Sequence, residues 1–165
     1  MFRKAADNLG DLSTMNWLIA VIPVICLVLY RYISHTFHFA KNLLLKVYIL
    51  STTGKNGMQE VSELLEKSKM YSIHNKILNL ESNKNILQTI KKRGIYIVGY
   101  SDKFNGYKKL VEKIKDDNSA LIVFAHSVNI VKKDKDIFDG YIYCDIVNSH
   151  ARLMTTVNNL MMTMR

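Results

Sequence analysis

At 165 residues the chain has room for one domain of ordinary size plus an extra segment, and 48% apolar against 22% charged residues excludes a disordered protein. The net charge is +9, and from Lys46 onward 19 Lys and Arg stand against 12 Asp and Glu, leaving +7 on that part alone. Such a balance favours an anionic partner, whether nucleotide, nucleic acid or lipid headgroup, and it equally fits a solvated lysine-rich surface. Two cysteines, Cys26 and Cys144, make no disulfide framework and show no zinc-type spacing with histidine, which points to a reducing compartment.

Residues 1–14 read as a polar tail. Met15 to Tyr30 holds no charged residue. Extended to Ile33, the run approaches the ~20 residues that cross a bilayer, with Arg31 snorkelling. Trp17 at one end and Tyr30 and Tyr32 at the other suit the aromatic belts of a membrane, and Pro23 is tolerable in a membrane helix. The expectation is a transmembrane helix over 15–33. A cleaved signal peptide needs its basic residues beside the apolar run, whereas Asp7 and Asp11 separate Arg3 and Lys4 from Trp17. A buried soluble helix would keep a polar face, and this run has none. Arg31, Lys41 and Lys46 follow the run while Arg3 and Lys4 precede it. The bias makes the chain a single-pass protein of the inner or plasma membrane with its C-terminal part in the cytoplasm. Over 34–45, Phe37, Ala40 and Leu44 continue the helical spacing of Ile33, which predicts a helical stalk. His35 and His38 read as solvated linker histidines, with a pH sensor or a metal pair as the alternative.

From Lys46 the pattern alternates. Lys46–Leu50 is a short apolar strand that stops at Ser51-Thr52-Thr53-Gly54-Lys55-Asn56-Gly57, and Met58–Lys69 follows as a helix with Val61, Leu64 and Leu65 on one face. Lys76–Leu80 is a weaker strand, and Asn83–Lys92 a helix capped by Ser82 or Asn83. Ile95–Tyr100 is the third strand, Tyr107–Lys115 a helix, and Ala120–Ala125 a strand apolar enough to be buried on both faces. Asp134–Phe138 offers a turn or two of helix, Tyr141–Val147 the fifth strand, and Ser149 or His150 opens a last helix. Strands alternating with helices predict an α/β fold. The expected arrangement is a five-stranded parallel sheet in a three-layer sandwich, order 2-1-3-4-5, in a Rossmann-like ligand-sensing domain over 46–165.

In such sheets ligands bind beyond the carboxyl ends of the strands, where the strand order reverses. The candidate binding residues are therefore Ser51, Thr52, Thr53, Gly54, Lys55 and Asn56 after the first strand, and Ser101 and Lys103 after the third. His126 and Ser127 follow the fourth, and Asn148, Ser149 and Arg152 the fifth. Hydroxyls, glycine, cations and helix N-termini in one place suit a phosphate. The same Ser, Thr and Asn also serve as helix caps and turn formers. No nucleophile elbow, metal-binding pair or Walker lysine is present, and His126 beside Ser127 places neighbours that point apart. No catalytic residue is expected.

Ser51-Thr52-Thr53-Gly54-Lys55-Asn56 resembles the phosphate loop of flavodoxins, which would imply FMN flanked by Tyr100, Phe104 or Tyr107. Tyr100 through Glu112 resembles the stretch that carries the catalytic glutamate of NAD-cleaving TIR domains. The whole layout, one membrane helix before a small Rossmann-like domain, is similar to the membrane effectors of bacterial nucleotide-signalling defence systems, CRISPR-associated ones included. That resemblance implies a non-enzymatic effector. It would bind a phosphorylated nucleotide signal, sit in the bilayer as a homo-oligomer and alter membrane permeability, with no cofactor and no duplex nucleic acid. The alternative is a membrane-tethered FMN protein or NAD-processing enzyme.

Overall fold

The computed structural model describes residues 21–34, 36–37, 39–52, 58–74, 76–80, 90, 92–126 and 128–164. The expected tail 1–14, the first part of the expected membrane run (15–20), His35, His38 and most of the helix expected at Asn83–Lys92 lie outside the described residues. The chain divides into two compact units, Met1–Phe37 and His38–Arg165.

The described part of the first unit is helical. Helix α1, Val21–Asn42, begins there and is long and apolar enough to cross a membrane. Ile22, Val24, Ile25, Leu27, Val28 and Leu29 are all exposed along it.

The second unit starts with the end of α1. Phe39, Leu43 and Leu45 pack against its core, while Leu44 stays exposed. The helix stops by turning: Leu43 N–H donates to Phe39 O at 2.9 Å, and Leu45 N–H to Asn42 O at 2.9 Å. The elements that follow are β1 (Lys46–Ser51), α2 (Gln59–Ser68), β2 (Ser72–Ile73), β3 (Leu78–Asn79), β4 (Gly94–Gly99), α3 (Tyr107–Asp116), β5 (Ala120–Phe124), α4 (Lys132–Asp139), β6 (Cys144–Val147) and α5 (His150–Thr163).

The sheet is parallel throughout, with order β2-β1-β4-β5-β6, and β3 also pairs with β1. The expected five strands in order 2-1-3-4-5 are therefore corrected to six. The difference lies at one edge. β1 faces β4 along Lys46–Leu50, so Ser72–Ile73, paired with Lys46–Val47, and Leu78–Asn79, paired with Leu50–Ser51, both lie on its other side. Between them the chain turns, with Lys76 N–H donating to His74 O at 2.7 Å. An outermost strand can be broken because nothing on its far side requires a continuous ladder.

Alternation along the central strands splits the core in two. Val47, Ile49, Ile95, Ile97, Ala120 and Ile122 face one way, toward Val61 and Leu65 of α2 and Leu153, Val157 and Leu160 of α5. Tyr48, Leu50, Tyr96, Val98, Leu121 and Val123 face the other, toward Leu110, Val111 and Ile114 of α3 and Phe138 of α4. Helices thus cover both faces of the sheet.

The outer edge of β6 is closed locally. Cys144 N–H donates to Tyr141 O at 3.0 Å, and Ile146 N–H donates to Asp145 Oδ1 at 2.8 Å. Thr156 Oγ1 on α5 holds the other oxygen of Asp145 at 3.3 Å.

Candidate functional site

The strands end together at Ser51, Gly99, Phe124 and Val147. Between the ends of β1 and β4 the strand order reverses, because the chain runs from β1 outward to β2 and β3 before returning to β4. Thr52 ties this point, its buried Oγ1 donating to Gly99 O at 2.7 Å. A Cβ on Gly99 would lie 2.8 Å from Met58 Sδ, so glycine lets the start of α2 approach the sheet closely.

A cavity of about 240 Å³ opens here, lined by Ser51, Met58, Gly99, Tyr100, Phe124, His126 and Val128. Its walls are fixed by hydrogen bonds. Tyr100 OH donates to Asp134 Oδ2 at 2.9 Å and accepts from Val131 N–H at 3.1 Å. Burial pushes the Tyr100 phenol up from its ordinary value and the Asp134 charge adds to this, so the hydroxyl keeps its proton. Behind it, buried Tyr107 OH accepts from Ser101 N–H at 2.8 Å and donates to Ser101 O at 3.1 Å. Two ring contacts of Tyr107, with Tyr100 and Phe138 at centroid distances of 5.4 and 5.2 Å, complete the wall.

Around Phe124 two histidines share one aromatic platform. The exposed His126 ring lies parallel to Phe124, centroids 5.9 Å apart, with Nδ1 3.4 Å from Asn148 O. His150, the first residue of α5, lies 5.2 Å from the Phe124 ring and 5.8 Å from that of His126. Its Nε2 is 3.8 Å from Glu60 Oε2 on α2.

The expected binding residues divide accordingly. Ser51 and His126 line the cavity, Thr52 braces it, and Ser101 and Asn148 flank it through backbone atoms. Ser149 caps α5, its Oγ accepting from Arg152 N–H at 3.4 Å. Lys103 is exposed in the turn after β4, where its own N–H donates to Ser101 Oγ at 3.3 Å. Arg152 lines a separate cavity of about 330 Å³ with Asp145, Ala151, Thr155, Thr156 and Asn159. Thr53, Gly54, Lys55, Asn56 and Ser127 lie outside the described residues.

Met58, Gly99, Phe124 and Val128 carry no polar side chain, so nothing in the sequence marks them as phosphate ligands. Gly99, which follows the bulky run Ile95-Tyr96-Ile97-Val98, is the signal that marks a close backbone approach. Chemically the described lining offers a ring-sized space of mixed character, with the apolar Met58, Phe124 and Val128 beside hydroxyl and imidazole groups. Among the described residues no group of three or more His, Cys, Asp or Glu gathers to hold a metal ion. Set against protein families, curated proteins and solved structures, the chain matches none.

Proposed function

We propose that this chain is a membrane-anchored sensor. Its Rossmann-like domain takes a phosphorylated, nucleotide-type ligand at the strand ends and has no catalytic role. The observation that carries the reading is the cavity at the reversal of strand order between β1 and β4, the place where parallel sheets take ligands. At about 240 Å³ it lies below the ~300–1,000 Å³ of whole-ligand sites, so it receives one ring of the ligand rather than all of it. The base packs among Met58, Tyr100, Phe124 and Val128 within reach of His126. The phosphate extends to the Ser51–Asn56 stretch, before the N-terminus of α2, with Lys55 and Lys103 as counter-charges.

In this reading α1 holds the domain at the inner or plasma membrane with its C-terminal part in the cytoplasm, since basic residues follow the apolar run three to two. Copies then assemble as homo-oligomers whose apolar helices alter membrane permeability when the ligand binds, a role suited to antiviral defence. The FMN alternative makes a different prediction, because flavin-loaded protein is yellow.

The test is calorimetric titration of the detergent-solubilised full chain with ATP, NAD and FMN. Binding of an adenine nucleotide, weakened by roughly 1.5–3 kcal/mol in Lys55→Ala and reduced by salt, is the expected result. Equal affinity in Lys55→Ala and His126→Ala, with the fold intact, moves the site elsewhere.

A further inference from the structure

We infer that α5 is a coupling rod, tied at one end to the candidate cavity and at the other to the membrane helix α1. The inference rests on the sensor reading above and adds how occupancy of the site reaches the anchor.

At its first residue α5 packs beside the cavity: His150 meets the rings of Phe124 and His126, which line it, and faces Glu60. At its far end α5 meets the last residue of α1. The side chain of Asn42 is buried, 2% exposed, and its Nδ2 donates to Met161 O at 2.8 Å and to Met164 O at 2.9 Å. The last carbonyls of a helix have no partner within it, so one amide from α1 satisfies two groups that α5 leaves open. Both bonds are short and both acceptors lie on the backbone, so a displacement of α5 along its axis breaks them or carries Asn42 with it.

Between these ends α5 is stiff. Its 14 residues span about 21 Å, and Leu153, Thr156, Val157, Leu160 and Met161 are buried along it. Tyr71 OH donates to Asn158 Oδ1 at 2.8 Å, fixing the middle of the helix against the segment after α2. The His150 end is the looser one. Its contact with Glu60 is long at 3.8 Å, and the carboxylate side chain is 82% exposed. A planar ring entering beside His126 has to choose among arrangements of the two imidazoles, and only a difference in affinity between arrangements can move the rod. Coupling of this kind is reciprocal, so a change at Asn42 must be felt at His126.

The test is hydrogen exchange measured by mass spectrometry on the full chain in detergent, with no ligand added. His150→Ala should speed exchange at the amides of Leu43 and Leu45 about fivefold or more, and Asn42→Ala should do the same near Asn148–Leu153. Thr155→Ala, on the exposed side of α5, should change neither end. Effects confined to the mutated end, or an equal effect from Thr155→Ala, overturn the rod. If Asn42→Ala does not fold, His150→Ala decides alone. Because no nucleotide is present, the outcome is independent of the ligand titration. Coupling without nucleotide binding would sink the ligand reading and leave the rod standing.

Discussion

Helix α1 and strand β5 are written in much the same letters and live in opposite surroundings. In β5, Ala120-Leu121-Ile122-Val123-Phe124 is 0–5% exposed, whereas Ile22, Val24, Ile25, Leu27, Val28 and Leu29 of α1 are 51–64% exposed. β5 has strands on both edges and helices on both faces, so protein takes it out of water from every side. Among the described residues, those at 22–29 of α1 have no such cover from the chain, yet as a helix they satisfy their own backbone. An apolar run says that a segment must leave water. Length and neighbours decide whether protein or lipid replaces it.

A charge placed in each run should act oppositely in the two surroundings. Val123→Asp buries an unpaired carboxylate between sheet and helices and should remove more than about 4 kcal/mol, leaving no cooperative thermal transition by circular dichroism. Leu27→Lys should leave the thermal unfolding of the domain unchanged. It should add about 2.5–3.5 kcal/mol to membrane insertion and shift the protein out of the carbonate-resistant pellet. If Leu27→Lys instead unfolds the domain, α1 is a core helix and its exposure has another cause.

A third change probes polar rather than apolar burial. Tyr107→Phe strands the buried Ser101 N–H and should destabilise the domain by about 1–3 kcal/mol in urea unfolding. Full stability in that variant would mean that the wall behind the cavity is not held by this bond.

The smallest effect compares the two thiols, one on α1 and one on β6, the strand beside β5. Cys26 is exposed on α1, whereas burial, with Asp145 and Asp139 adding to it, pushes the Cys144 thiol from 9.0 to about 12. At pH 8 Cys144 should resist maleimide in the folded chain and react once guanidinium unfolds it. The unfolded thiol loses its proton near pH 9 while the folded one keeps it, so the unfolded state binds fewer protons above that pH. Stability should therefore fall as pH rises from about 9 toward 12, and Cys144→Ala should flatten that slope.

Much of this domain is legible in its letters, for reasons that differ by element. β4, β5 and α3 announce themselves through unbroken apolar strands and a clean helical face, and the structure keeps them within a residue of expectation. α4 is longer than Asp134–Phe138 because it starts at Lys132, where two lysines give no apolar periodicity to read. β6 is shorter than Tyr141–Val147 because Tyr141 to Tyr143 still belongs to the turn after Gly140. The split edge strand was not readable, since only the pairing with β1 defines either half. The burial of Asn42 was equally hidden, because a lone polar residue after an apolar helix looks like solvent-facing linker. At the strand ends, the sequence marks the loops but not which side chains turn toward the cavity. His126 and Arg152 look alike as candidates, yet one lines the cavity and the other a different face of α5.

The closed rim of the sheet has a consequence for how copies of this chain can meet. An open rim invites another strand, because its free amides and carbonyls are a template for polymerisation. Here one rim is cut into two-residue pieces, and at the other the Ile146 amide is already taken by Asp145. Among the described residues a neighbouring molecule finds no continuous row of donors to extend, so crowding need not lead to fibrous stacking. Any pairing between copies would then run through other surfaces, where contacts are side chain to side chain. Asp145→Ala would remove that guard, and light scattering at high protein concentration would register the loss.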